Sequence, residues 1–419
     1  MLLRNANVLD ETGGFTGPLD VLVEDGIITK VGSGLAGDGA EPVDLEGLWL
    51  MPGVFDCHTH IGFSTLDMVE LLNMSITEWT LEAARNLRNT LEGGVTYIRD
   101  AGAADAGIRN AVERGITLGP SMKVAVSIIS QTGGQGDGFL PGPGLDMTIG
   151  NLVPDYPGRP RYLADGEDEM RKAARESLRA GADWVKVCVS GGALTPTGGA
   201  DLSELTLEEV RVAVVEAARR GKRVMADAKG AEAIGMAVRA GVGSVEHGVF
   251  LDEERAALMA EKGCWLVPTH AVYRDLVRWG EEGKLPPDQA RRAVEQVAKT
   301  KEFVQIARAA GVKIALGTDY ITREQHGRNL DQITLLHEAG VPADEVLLIA
   351  TIRGAELLGV DDRYGRIAEG YVFDAIVLDE DPSDPALFSE PGCATGVFKA
   401  GVPVVPHPRL DGWTPARRH

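Results

Sequence analysis

From residue 54 onward, short apolar segments alternate with amphipathic ones eight times, and that rhythm leaves few folds open. The strand candidates are VFDCHTHIG (54–62), VTYIRDAG (95–102), MKVAVSII (122–129) and WVKVCVSGG (184–192). KRVMADA (222–228), SVEHG (244–248), CWLVP (264–268) and VKIALGTD (312–319) follow. Between them lie helical patterns such as EDEMRKAARESLRAGA, LTLEEVRVAVVEAARRG, AEAIGMAVRAGV and DEERAALMAEKG, most ending in glycine before the next strand. Eight such units predict an α/β chain closed into a (β/α)8 TIM barrel rather than an open sheet.

The two ends do not follow this rhythm. LLRNANVLD, LDVLVEDGIITKVG and AEPVDLEGLWL near the start read as hairpin strands, as do GRIAEGYVFDAIVLDEDP and TGVFKAGVPVV near the end. We expect residues 1–50 and 363–410 to form one small β-sandwich, with 51–362 as the barrel. The Gly- and Pro-rich segment 131–160 follows the third strand and is too long for a connector, so it reads as a lid or substrate loop.

The charge balance excludes some functions. With 62 acidic and 42 basic residues the net charge is −20, which disfavours nucleic acid or an anionic membrane as partner. No apolar run approaches a membrane span, and MLLRNANVLD lacks the layout of a signal peptide, so the expected location is cytoplasmic. The four cysteines, Cys57, Cys188, Cys264 and Cys393, have no CxxC spacing and read as reduced thiols.

Barrel enzymes keep their chemistry at the C-terminal ends of the strands, and polar residues gather there. The first strand ends in His58-Thr59-His60, two imidazoles on one face that can share a metal ion. Lys186 lies between valines in the fourth strand; burial should depress its pKa. It is either paired with a carboxylate or a neutral amine able to take up carbon dioxide as a metal-bridging carbamate. The sixth strand ends in Glu246-His247-Gly248 and the eighth in Thr318-Asp319-Tyr320. Five metal-compatible groups thus recur at one end of four strands in a chain with only eight histidines. His270 closes VPTH and is a substrate-contact candidate, with Tyr320, Arg323 and Gln135; His337 lies in a helical pattern and reads as structural.

MPGVFDCHTH, WVKVCVSGG, AGVGSVEHGVFLD, ALGTD and GRIAEGYVFDAIVLDEDP together resemble the amidohydrolase superfamily, in its imidazolonepropionase-like and Xaa-Pro dipeptidase-like branch. The resemblance implies one or two divalent cations, with zinc the leading candidate and manganese or cobalt as options. It assigns His58, His60 and Asp319 to one metal, with Lys186 as carbamate bridging to a second held by His247 and the residue ending the fifth strand. Asp319 would be the general base and then acid of amide hydrolysis. The implied substrate is a dipeptide or N-acyl amino acid, or a urea, carbamate or anilide, and the implied assembly is a homo-oligomer. A lactonase, a phosphoesterase and a non-catalytic small-molecule-binding relative remain alternatives.

Two positions depart from the family pattern. Its fifth-strand ligand is a histidine, where ADAKG here has Asp227, and Gln135 stands where relatives often carry a loop histidine. Asp227 is a metal ligand, or the second metal is weak or lost with Lys229 pairing Asp227, or the chain is non-catalytic. Herbicide-degrading urea and thiocarbamate hydrolases related to this branch also have atypical metal sites, which mildly favours a non-peptide substrate. Lys229, two residues along the strand, shares the face of Asp227 and reads as its neutraliser.

Overall fold

The structure, a computed structural model, describes residues 1–37, 42–137, 139–140, 145–146, 154, 156–195, 199–200 and 202–410. The eight alternating units close into the expected barrel. Val54–Thr59, Val95–Asp100 and Ser121–Val124 pair in parallel as one arc. Ile128–Ile129, Trp184–Cys188, Arg223–Ala228, Ser244–His247 and Trp265–Val267 form the other. The third strand candidate is therefore divided: it leaves one arc at Val124 and enters the other at Ile128, with Val126 at a φ of 66° between them. The Asp183 amide donates to the Val124 carbonyl (2.7 Å) across this break.

The eighth segment closes the ring without a regular ladder. Ile314 bridges Leu266 on one side. On the other, the Cys57 amide donates to the Leu316 carbonyl (2.7 Å) and the Asp319 amide to the His58 carbonyl (2.7 Å). Gly317 makes this approach possible: a Cβ there would lie 2.5 Å from Val267 Cγ1 and 2.8 Å from the His58 Cβ.

The predicted helices form where their apolar stripes face the strands, at Gly166–Arg179, Leu207–Ala218, Ala231–Ala240 and Glu253–Lys262. Leu207–Ala218 starts with a capping box between Thr206 and Glu209. Ala231–Ala240 and Glu253–Lys262 stop at left-handed glycines, Gly241 and Gly263. The barrel interior is filled by Phe55, Tyr97, Trp184, Met225, Trp265 and Val267, with the Phe55 and Tyr97 rings stacked 5.1 Å apart.

Both ends of the chain build one eight-stranded sheet. Its path runs Val402–Val405, Ala394–Lys399, Ala375–Leu378, Trp49–Pro52, Leu2–Leu9, Phe15–Glu24, Ile27–Gly32, with Pro42–Asp44 paired to Leu2–Leu9. The sheet curls until Ile27 bridges Val372, enclosing a core of its own around Leu3, Val21, Ile28, Leu50, Phe373 and Phe398. Trp49–Pro52 thus belongs to this sheet and delivers the chain, through Gly53, into the first barrel strand. Of the proposed lid, much of 138–155 lies outside the described residues; its start, Gln131–Asp137, packs at the barrel mouth. Among the described residues no helix is long and apolar enough to cross a membrane.

Candidate metal centre

The strand ends bring six predicted residues together. His58, Lys186, Asp227 and His247 are between 0 and 3 % exposed and His60 is 5 % exposed, while the Asp319 side chain keeps 19 % of its surface accessible. Among the described residues, two groups of donor atoms lie close enough to hold a cation: His58, His60 and Asp319, and His58, Asp227 and His247. His58 belongs to both.

The imidazoles are pre-set for metal. Each has its Nδ1 engaged on the protein side: His58 with Glu246 Oε2 (2.8 Å), His60 with the Gly102 carbonyl (2.9 Å) and His247 with Thr269 Oγ1 (2.7 Å). Each Nε2 points inward. Those of His58 and His60 lie 3.4 and 3.1 Å from Asp319 Oδ1, and that of His247 lies 3.2 Å from Asp227 Oδ1. An anchored Nδ1 and a convergent Nε2 are what imidazole ligation requires, so the donor set fits a borderline divalent cation. Burial pushes His247 down to about 4, keeping its ring neutral and able to donate a lone pair.

Local backbone strain serves the same end. His247 and Asp319 sit at φ of 70° and 59°, a region side-chain-bearing residues rarely adopt. Asp56 fixes the relation between the first and eighth segments. Its Oδ2 accepts from Thr318 Oγ1 (2.6 Å) and Asn329 Nδ2 (2.7 Å), and its Oδ1 from the amides of His58 and Thr318 (both 3.1 Å).

Asp227 uses its two oxygens differently. Oδ1 faces the cluster, 2.9 Å from Lys186 Nζ and 3.2 Å from His247 Nε2. Oδ2 faces away, accepting from Gln135 Nε2 (3.1 Å) with Lys229 Nζ 3.5 Å distant. Lys229 Nζ in turn donates to Gln135 Oε1 (2.6 Å), closing a ring of three side chains. Asp227 and Gln135 are therefore in direct contact, and Lys229 joins them.

One sequence expectation is reversed here. Lys186 is not depressed: burial works against its charge, but the Asp227 carboxylate beside it holds it above the ordinary lysine value. Correspondingly, although burial opposes its charge, Asp227 is held well below the carboxylate range by Lys186, Lys229 and His247. The partner comes from the adjacent strand, where Cys188 is in register with Asp227.

The substrate-contact candidates divide. Gln135 is at the cluster. His270 is enclosed, its Nε2 bonded to the Thr300 carbonyl (2.9 Å) and its ring against Phe303. Tyr320 is fully buried with its hydroxyl turned to Arg274 and the Arg328 carbonyl. Arg323 pairs with Glu70 and Glu82. The structure does not bring these three side chains to the metal cluster; they brace the barrel rim. His337 bonds the Val341 carbonyl from the helix Asp331–Glu338, as its helical pattern suggested.

Two groups escaped the sequence reading. Tyr273, on the helix His270–Glu281, sets its ring edge-on to His247 at 6.1 Å. Burial and the charges of Asp319 and Asp227 raise its pKa, so the hydroxyl keeps its proton beside the cluster. Its only sequence signal is the helical i+3 spacing from His270. The buried pair Arg99–Glu246 lies beneath His58; a charged residue next to His247, and an arginine inside VTYIRD, were the available hints.

Comparison with known proteins agrees with this geometry. Residues 49–404 match the amidohydrolase family. The chain is 33 % identical to ochratoxinase of Aspergillus niger over 361 residues, 84 % of this chain and 75 % of that one. A prolidase crystallised with N-methylphosphonate-L-proline superposes with a TM-score of 0.88 at 30 % identity, covering 96 % of this chain and 98 % of the other. A Xaa-Pro dipeptidase with methionine in its active site gives 0.85 at 27 % identity, with the same coverage.

Proposed function

The chain belongs to the amidohydrolase family, and from that premise we propose that it hydrolyses the amide bond of a dipeptide or N-acyl amino acid at the barrel mouth. The observation that carries this reading is the convergence of three Nδ1-anchored imidazoles on Asp319 and Asp227. The names of two structural relatives, a prolidase and a Xaa-Pro dipeptidase, favour an amide with an amino-acid leaving group over a urea or carbamate.

His58, His60 and Asp319 would hold one cation, and Asp227 through Oδ1, with His247, a second; Lys186 lies between the two groups, 3.2 Å from His58 Nε2. A divalent cation bound there supplies Lewis acidity for activating water and polarising a carbonyl. Asp319 is the most accessible member, and its Oδ1 faces the Nε2 atoms of His60 and His58, leaving Oδ2 to take the proton of the attacking water. The same carboxyl then returns that proton to the departing nitrogen. Tyr273, protonated and beside His247, is placed to donate to the substrate carbonyl region. Buried walls around the histidines exclude bulk water from these transfers.

The test is a panel of dipeptides and N-acyl amino acids offered to metal-loaded protein, native and Asp319→Asn. The native protein should release free amino acid, and the variant should lose about a hundredfold or more in kcat. Hydrolysis undiminished in Asp319→Asn would refute the assigned base.

A further inference from the structure

Beneath the histidines, where barrels of this type pack apolar layers, lies a fully enclosed ion pair. Arg99 from the second strand and Glu246 from the sixth are both 0 % exposed. The Glu246 carboxylate is saturated. Oε1 accepts from Ser244 Oγ (2.5 Å) and Arg99 Nη2 (2.9 Å); Oε2 accepts from Arg99 Nη2 (3.0 Å) and meets His58 Nδ1 at 2.8 Å. Arg99 is itself tied down, with Nε donating to the Cys57 carbonyl (2.7 Å), Nη1 to Ser244 Oγ (3.1 Å), and its guanidinium 4.5 Å from the Trp184 ring centre.

A buried pair of this kind contributes little net stability relative to apolar packing, because desolvating both ions offsets their attraction. Its location gives it another use. His60 and His247 are anchored by neutral oxygens, of Gly102 and Thr269; of the three imidazoles only His58 is anchored by a carboxylate. His58 is also the imidazole common to both donor groups.

We propose that Glu246, braced by Arg99 and Ser244, is a positioning residue for the metal centre: it fixes His58 with its proton on Nδ1 and its Nε2 lone pair toward the cation, and strengthens that nitrogen as a donor. This rests on the metal-dependent reading above and extends it to a residue that touches neither cation nor substrate. Outer carboxylates on ligating histidines alter metal affinity by about tenfold to a hundredfold. With its proton on Nδ1, His58 offers a single Nε2 lone pair, so the loss should fall on the cation that His58 holds with His60 and Asp319.

Zinc binding by metal-stripped full-length protein, read by competition with a chromophoric chelator, tests the assignment without any substrate. Glu246→Gln should weaken zinc binding about tenfold to a hundredfold. Glu216→Gln, which removes a charge bonded to Arg175 on the barrel exterior, serves as control and should leave binding unchanged. A merely structural Glu246 would lower the melting temperature of the metal-free protein and leave zinc affinity intact, which would overturn the proposal. If Glu246→Gln does not fold, Ser244→Ala removes one brace from Oε1; about threefold or more weakening supports the proposal and an unchanged constant refutes it. Failure of the native chain to bind zinc at all would instead overturn the metal-dependent reading, and this inference with it.

Discussion

Replacing Asp227 by histidine should harm this protein unless Lys229 is changed with it. In Asp227→His the Lys229 ammonium, 2 % exposed, loses the carboxylate 3.5 Å away and keeps its bond to Gln135 and the more distant charge of Glu204. Two unit charges at that distance interact by at most about 5 kcal/mol at an effective dielectric of 20. The surviving bond to Gln135 offsets part of this, leaving a coupling of roughly 2 to 3 kcal/mol between positions 227 and 229. The assay is a double-mutant cycle of Asp227→His and Lys229→Met, read by urea unfolding of metal-free protein. Lys186 also loses its partner in Asp227→His, but that cost enters the single and double variants alike and cancels from the coupling. Metal per chain, measured on the same four proteins, gives a second readout. Asp227→His alone should be the least stable and lose the second cation, whereas the double variant should recover stability and hold it. A coupling below about 0.5 kcal/mol, or a single variant that is stable and fully loaded, would refute the reasoning.

Carboxylation of Lys186 requires the neutral amine, and Asp227 holds it as ammonium in the metal-free state. Carbamate, followed by 13C NMR with labelled bicarbonate, should therefore rise with pH and appear with zinc, as the cation draws Asp227 away; full carbamate in metal-free protein at neutral pH would contradict this. His270 gives a separate pH signature. Burial lowers its pKa to about 4, so the fold binds no proton where the unfolded chain does. Its contribution to stability is complete above pH 6.5 and is lost as pH falls toward 4, by roughly 3 kcal/mol. The stability difference between native protein and His270→Gln should shrink by about that amount across this window, and a flat difference would exclude a neutral buried His270.

The barrel was legible because its signal is redundant. Eight apolar runs, each followed by a helix before the next, agree on one topology even though the third is split at Val126 and the eighth forms no regular ladder. The ligand-compatible residues were legible because chemistry collects at strand ends. What remained hidden depended on geometry that residue order does not encode. Strand alternation places Glu246 and His247 on opposite faces, yet the φ of 70° at His247 turns its ring into the same centre that Glu246 supports from below. Lys186 looked like an isolated lysine in an apolar strand because its partner stands on the neighbouring strand, forty-one positions away. Tyr320 and Arg323 looked functional from adjacency to Asp319, but their side chains turn to Arg274 and to Glu70 and Glu82.

The pattern at the fifth strand reads as compensation. Aspartate in place of histidine adds a negative charge to the centre, which would draw cations more tightly and reduce the Lewis acidity a substrate feels. The strand period puts residue 229 on the same face as 227, and a lysine there supplies the opposite charge. Gln135 completes the arrangement, since an amide can donate to Asp227 Oδ2 and accept from Lys229 at once, as a second cationic or purely accepting side chain could not. With Oδ2 so engaged, Asp227 offers the centre one oxygen, Oδ1, as a histidine offers one nitrogen. Asp227, Lys229 and Gln135 therefore act as one unit in physical terms, and changing any one of them alone should leave the other two worse placed than before.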